Sequence, residues 1–171
     1  MPLPRRLLLF LCLLPCTATA QSWTQHAPGL EEAQFAVERT TPVGDSTFVV
    51  LRIDPAQWQP KVLTLRDVGA EMSLGSREWA DTTGVSIVTN AGMFATDYRT
   101  HVGYLRTATH VNSAGVNQYK SVAAFGPLRD GLPPFRMHDL DETPMDSIRA
   151  RYQGVMQNLR LIKRPGRNLP L

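Results

Sequence analysis

The sequence predicts an α+β fold, a mixed and largely antiparallel sheet with a few short helices. Three observations carry this. Several short runs rich in β-branched and aromatic residues are bounded by Gly, Pro, Asn and Asp. Two segments only combine helical patterning with start and stop signals. The strands and helices do not alternate in the βαβ order that a parallel sheet needs. At 171 residues, with 43% hydrophobic and 19% charged, the chain is long enough for one ordinary domain with a packed core.

Residues 1–20 read as a secretory signal peptide. Arg5-Arg6 precede an unbroken apolar run from Leu7 to Leu14, and Thr17-Ala18-Thr19-Ala20 supplies an Ala-x-Ala cleavage site. The run is too short to span a bilayer, so no transmembrane anchor is expected and the chain is expected to be exported, periplasmic or secreted. Cleavage after Ala20 lowers the formal charge from +3 to +1 and removes both cysteines, Cys12 and Cys16. The exported chain then has no disulfide, thiolate nucleophile or Cys-ligated metal. Near neutrality also removes the argument for a nucleic-acid partner. One bias remains: no acid follows Asp146, whereas Arg149, Arg151, Arg160, Lys163, Arg164 and Arg167 do. This is either a solvated basic end or an anion-facing patch.

Residues 21–34 are polar, contain Pro28-Gly29 and read as a lead-in to a domain over 35–171. Phe35 and Val37 alternate with polar residues and predict a short strand over 35–38. Pro42 and Gly44 predict a turn. Phe48-Val49-Val50-Leu51-Arg52-Ile53 predicts a buried strand over 47–54, and the alternation of residues 61–67 predicts its hairpin partner. Ser76 as N-cap and Gly84 as stop predict a helix over 76–83. Residues 85–89 predict a third apolar strand running into the glycine-containing loop 90–94. Further strands are predicted over 104–109, 119–125 and 135–140, with a turn-rich connection over 126–134. Thr143 as N-cap, Pro144 at N1 and Asp146 at N3 predict a helix over 143–152, with Met145, Ile148 and Tyr152 on one face. A last strand over 155–163 is ended by Pro165-Gly166.

The polar residues concentrate in 90–119: Asn90, Asp97, Tyr98, Arg99, His101, His110, Asn112, Asn117 and Tyr119. Loops leaving strand ends place such groups on a rigid rim, and Gly92 and Gly103 permit close backbone approach. The same residues also fit an ordinary polar loop in which Asn side chains satisfy local backbone. Gln157-Asn158, at the start of an apolar strand, either satisfy buried groups or face a ligand. His101, His110 and His138 lack ligand spacing, and the acids Asp139, Asp141 and Glu142 lack the central glycine of a calcium loop, so no metal site is predicted. No Gly-x-Ser-x-Gly elbow occurs.

Four segments in order resemble a known family. Val88-Thr89-Asn90-Ala91-Gly92-Met93-Phe94 is similar to the Asn-Gly-Gly-Phe-Phe type segment of phosphodiester glycosidases. That group contains the enzyme that uncovers mannose-6-phosphate by removing N-acetylglucosamine. Thr100-His101-Val102-Gly103-Tyr104-Leu105 resembles the glycine-bearing strand that follows. Ser121-Val122-Ala123-Ala124-Phe125-Gly126 with Arg129-Asp130-Gly131 resembles the next strand and turn. Gln157-Asn158-Leu159-Arg160-Leu161-Ile162 takes the place of a later strand. The likeness runs from about Phe35 to Asn168.

The resemblance implies hydrolysis of the bond between a sugar's anomeric carbon and a phosphodiester, without a cofactor. The partner it implies is a sugar phosphodiester or related envelope glycan. Asp97, the nearest carboxylate, and His101 are then the catalytic candidates. Asn90, Gly92, Asn112, Gln157 and Asn158 are candidate substrate contacts, and Arg99 or Arg160 would take phosphate by a bidentate contact. Family domains continue with an arginine-bearing strand and an acidic-Gly-Gly motif, which the sequence does not reach before Leu171. The expectation is an N-terminal portion of the family domain with little activity. The alternative is a non-catalytic envelope protein that binds glycan or a partner through the same face.

Overall fold

The structure, a computed structural model, describes residues 22–37, 42–164 and 167–168. The expected signal peptide, Glu38, Thr41 and the Pro165-Gly166 stop lie outside them. The fold is α+β with antiparallel sheets and two short helices, as the sequence predicts. Among the described residues no helix is long and apolar enough to cross a membrane. The chain divides into two compact units, Met1–Ile53 and Asp54–Leu171.

The first unit holds a three-stranded sheet of β1 (Thr24–Ala27), β2 (Leu30–Ala36) and β3 (Thr47–Ile53), in that order. The expected lead-in is in fact a hairpin. Pro28-Gly29 forms its turn, Gly29 taking the left-handed φ of 73° that a tight turn demands. The strand predicted over 35–38 is the end of β2. β3 forms as predicted but is not buried: Phe48 is 50% and Val49 57% exposed. The reason is its place at the sheet edge in a unit without a helix or second sheet among its described residues. One face of this sheet is organised by rings. Phe35 stacks on Phe48 at 5.4 Å, Trp23 meets Phe35 edge-on, and the Arg52 guanidinium lies 4.2 Å over Trp23 while pairing with Glu31.

The second unit is built on a five-stranded sheet. Its strands are β4 (Leu105–Arg106), β5 (Val111–Ser113), β6 (Ser121–Pro127), β7 (Phe135–Asp139) and β8 (Tyr152–Asn158), in the order β5-β4-β8-β6-β7. Every pair is antiparallel. A short ladder joins β9 (Ile162–Arg164) to β10 (Arg167–Asn168). The period-two alternation of β6 and β8 divides the core. Val122, Ala124 and Val155 face one side with Tyr104, the Tyr152 ring joins their cluster from the start of β8, and the helix α2 (Met145–Arg149) adds Met145 and Ile148. Ala123 and Met156 face the other side with Leu105, where Val62 and Phe125 pack. Gly154 lets this second layer close, since a Cβ there would stand 3.1 Å from Val62 Cγ1.

Several predicted elements differ. Residues 61–67 do not pair with β3; the chain turns into a 3₁₀ helix over Leu65–Val68. Thr64 and Asp67 form a capping box, with the Thr64 N–H donating to Asp67 Oδ2 at 2.8 Å, and Gly69 ends the turn at φ 67°. This local hydrogen bonding competes with a ladder and wins. Residues 85–89 are no strand, because the edges of the five-stranded sheet are β5 and β7. The helix α1 (Ser76–Thr83) forms as expected, but Gly75 is its N-cap. Glu78 accepts the Gly75 N–H at 2.6 Å, and Gly84 ends the helix in the left-handed region. α2 starts after Pro144, not Thr143, and stops at Arg149. Tyr152 belongs to β8, where its backbone pairs with β6 while its ring still reaches the same core.

His138 on β7 is 9% exposed, edge-on to Tyr152, and neither its Nε2 nor the Tyr152 hydroxyl has a hydrogen-bond partner. Burial first, then the charges of Arg136 and Arg151, push its pKa below the ordinary 6.5. The unfolded chain therefore takes up this proton more readily. Its contribution to stability is complete above pH 6.5 and is lost as the pH falls through the depressed folded value. His138→Phe should reduce the fall in Tm on acidification below that pH. An unchanged pH slope in the variant would refute the attribution.

Candidate functional site

Residues 93–102 form a small hairpin. Met93 O accepts Val102 N–H, Ala95 N–H donates to Thr100 O, and Phe94 bridges His101. Asp97 sits at the tip, beside Tyr98 in the left-handed region at φ 55°. One Asp97 oxygen accepts the N–H groups of Arg99 and Thr100, both at 2.9 Å, and the other accepts the Thr100 hydroxyl at 2.6 Å. The Thr100 hydroxyl and backbone, then the Arg99 N–H, hold the Asp97 pKa down to about 2. Such a carboxylate has no proton to donate near neutral pH and stabilises the turn. In this structure Asp97 anchors the hairpin.

His101 is 3% exposed. Its Nε2–H donates to the Gln157 carbonyl at 2.6 Å, which fixes the tautomer, and its backbone N–H donates to Asn112 Oδ1 at 2.9 Å. Gly92 lies against the ring: a Cβ there would be 2.6 Å from Nδ1. The imidazole is thus enclosed and serves as a strut for the Asn90 loop. Asn90 Oδ1 accepts the Gly92 N–H at 3.3 Å. Asn158 Nδ2 donates to Ala91 O at 2.9 Å, and its Oδ1 accepts the Leu159 N–H. Asn112 Nδ2 donates to Arg99 O at 3.1 Å.

Gln157 is fully buried and its amide is saturated. Oε1 accepts from Tyr104 N–H and Asn117 N–H, while Nε2 donates to Asn117 O and Tyr119 O. No lone pair or proton is left for a substrate, so Gln157 positions the loop at 117–119. Arg160 is engaged through one nitrogen, while its buried Nε has no hydrogen-bond partner. Nη1 donates to both oxygens of Asp139 at 2.6 Å and to Asp141 at 2.7 Å. Asp141 and then Asp139 raise its pKa above the ordinary value. Two carboxylates thus share its charge. The structure therefore joins Asn90, Gly92, Asp97, Arg99, His101, Asn112, Gln157 and Asn158 in one connected cluster and leaves Arg160 in another.

An open cleft of about 370 Å³ adjoins this cluster, lined by Leu65, Arg66, Gly69, Ala70, Arg99 and Asn112. Arg99 Nη2 donates to Ala70 O at 3.2 Å. Among the described residues neither Arg66 nor Arg99 makes an ion pair. Two arginines beside Leu65 and Ala70 in one lining suit an anion attached to a less polar body. Sequence reasoning missed Arg66, Thr64 and Asp67, although Thr64-x-x-Asp67 is a legible capping box. Among the described residues no group of three or more His, Cys, Asp or Glu converges as a metal site would. Comparison with protein-family models, curated proteins and solved structures returns no match.

Proposed function

We propose that this chain is a phosphodiester-glycosidase-like exported protein that engages an anionic sugar phosphodiester in the Arg66–Arg99–Asn112 cleft. The observation that carries the reading is that one cleft is lined by two arginines with no ion pair among the described residues. The likeness of residues 88–94 to the family segment supports the substrate class. The Asn90 loop, braced by His101 and Asn158, connects to Asn112 of the cleft through the His101 backbone. A second reading, glycan binding without turnover, is favoured by the hydrogen bonding of Asp97 and His101, which fixes both to backbone groups.

The test is titration of the purified chain with N-acetylglucosamine 1-(methyl phosphate), followed by NMR, with free sugar measured in parallel. Arg99→Gln and Arg66→Gln should each weaken binding about tenfold, the size of one charge-assisted hydrogen bond. Affinity unchanged from the parent chain in both variants would sink the cleft reading. Binding with released sugar favours hydrolysis, and binding alone favours the non-catalytic reading.

A further inference from the structure

We propose that Thr107, Asp67 and His110 form a clasp that positions the two walls of this cleft for its ligand. One wall is the 3₁₀ turn carrying Arg66; the other is the β4–β5 hairpin, whose β5 strand carries Asn112. The clasp joins them directly behind those residues. Asp67, next to Arg66, has a side chain only 5% exposed. On its own wall it accepts the Thr64 N–H and hydroxyl at 2.8 and 2.9 Å. From the other wall it accepts the hydroxyls of Thr107 at 2.9 Å and Thr109 at 2.5 Å. His110 reaches back the other way, with Nε2 3.2 Å from Thr64 Oγ1 and Nδ1 3.5 Å from Asp67.

This arrangement explains why Arg66 is open to an anion. A carboxylate beside an arginine in sequence would ordinarily compete for it. Here Asp67 faces the hairpin, and three hydroxyls and one N–H satisfy its oxygens. Burial alone would raise the Asp67 pKa, but hydrogen bonds from Thr109, Thr64 and Thr107 outweigh it and hold the group below its ordinary value. The carboxylate stays ionised and turned away from the cleft. Thr107 is the central link, 2% exposed, and its hydroxyl also contacts Thr109 and His110. Fixing both walls in advance removes part of the ordering cost of binding.

The inference rests on the binding reading above, and its test separates the two. In the full exported chain, Thr107→Val deletes the hydroxyl at nearly constant volume and Thr107→Ser keeps it. With N-acetylglucosamine 1-(methyl phosphate) as probe, Thr107→Val should bind about tenfold more weakly and Thr107→Ser within about twofold. The affinity is measured well below each variant's Tm. If Thr107→Val does not fold, Thr109→Val, at an exposed position, takes its place with the same expectation. A lower Tm with unchanged affinity in the valine variant would overturn the clasp and leave the cleft intact. No binding by the parent chain would overturn both.

Discussion

Gln157→Leu is expected to be among the most damaging single substitutions in this chain, although it replaces a polar core residue with an apolar one of similar size. Leucine fits the volume but strands the N–H groups of Tyr104 and Asn117 and the carbonyls of Asn117 and Tyr119. A buried group left without a partner costs about 1–3 kcal/mol. Asn117 is exposed, so water recovers part of the loss there. The expected cost is roughly 4 kcal/mol, a large share of the 5–15 kcal/mol that holds a typical domain together. Urea unfolding followed by tryptophan fluorescence measures it. Asn158→Ala, whose amide makes one bond to Ala91 and a local one to Leu159, is the comparison and should cost less than half as much. Equal losses in the two variants would show that saturation of the Gln157 amide is not what matters.

The fold class was legible because short runs rich in β-branched and aromatic residues bounded by turn residues, and the Gly84 stop of α1, are strong local signals. What misled was apolar content read without its neighbours. Phe48-Val49-Val50-Leu51 has every property of a core strand, yet burial depends on a covering layer that sequence does not display. Residues 61–67 alternate, yet Thr64 and Asp67 carry a capping signal that outweighs the alternation. At the site, the clustering of residues 90–112 was legible because a short hairpin folds them onto each other. Their roles were not. Asp97 and His101 suit acid–base chemistry by type, and only the structure shows the hydrogen bonds that hold both in place. Arg66 was hidden because the partners of the Asp67 carboxylate beside it, Thr64, Thr107 and Thr109, become evident only in the fold.

Gly92→Ala should produce the second large effect, through steric conflict and not backbone conformation. Gly92 has no positive φ, so alanine's backbone preferences are met. Its Cβ, however, would lie 2.6 Å from His101 Nδ1 and closer still to Cε1. The ring cannot swing away cheaply, because Nε2 donates to the Gln157 carbonyl at 2.6 Å and the His101 backbone is held by Asn112. Either that hydrogen bond breaks or the 90–93 loop lifts off and takes the Asn158–Ala91 contact with it. Overpacking of this kind costs about 1–3 kcal/mol, and the loss of one hydrogen bond adds about 1 kcal/mol. The cause can be isolated by a double-mutant cycle with His101→Ala, which removes the ring that the new methyl meets. In the His101→Ala background Gly92→Ala should cost less than about 0.5 kcal/mol, because the vacated space accepts a methyl group. Additive losses would mean that the glycine is needed for another reason. The same cycle bears on the site, since His101, which the new methyl meets, is held to Asn112 of the cleft: Gly92→Ala should also weaken phosphodiester binding, and the His101→Ala background should restore part of it.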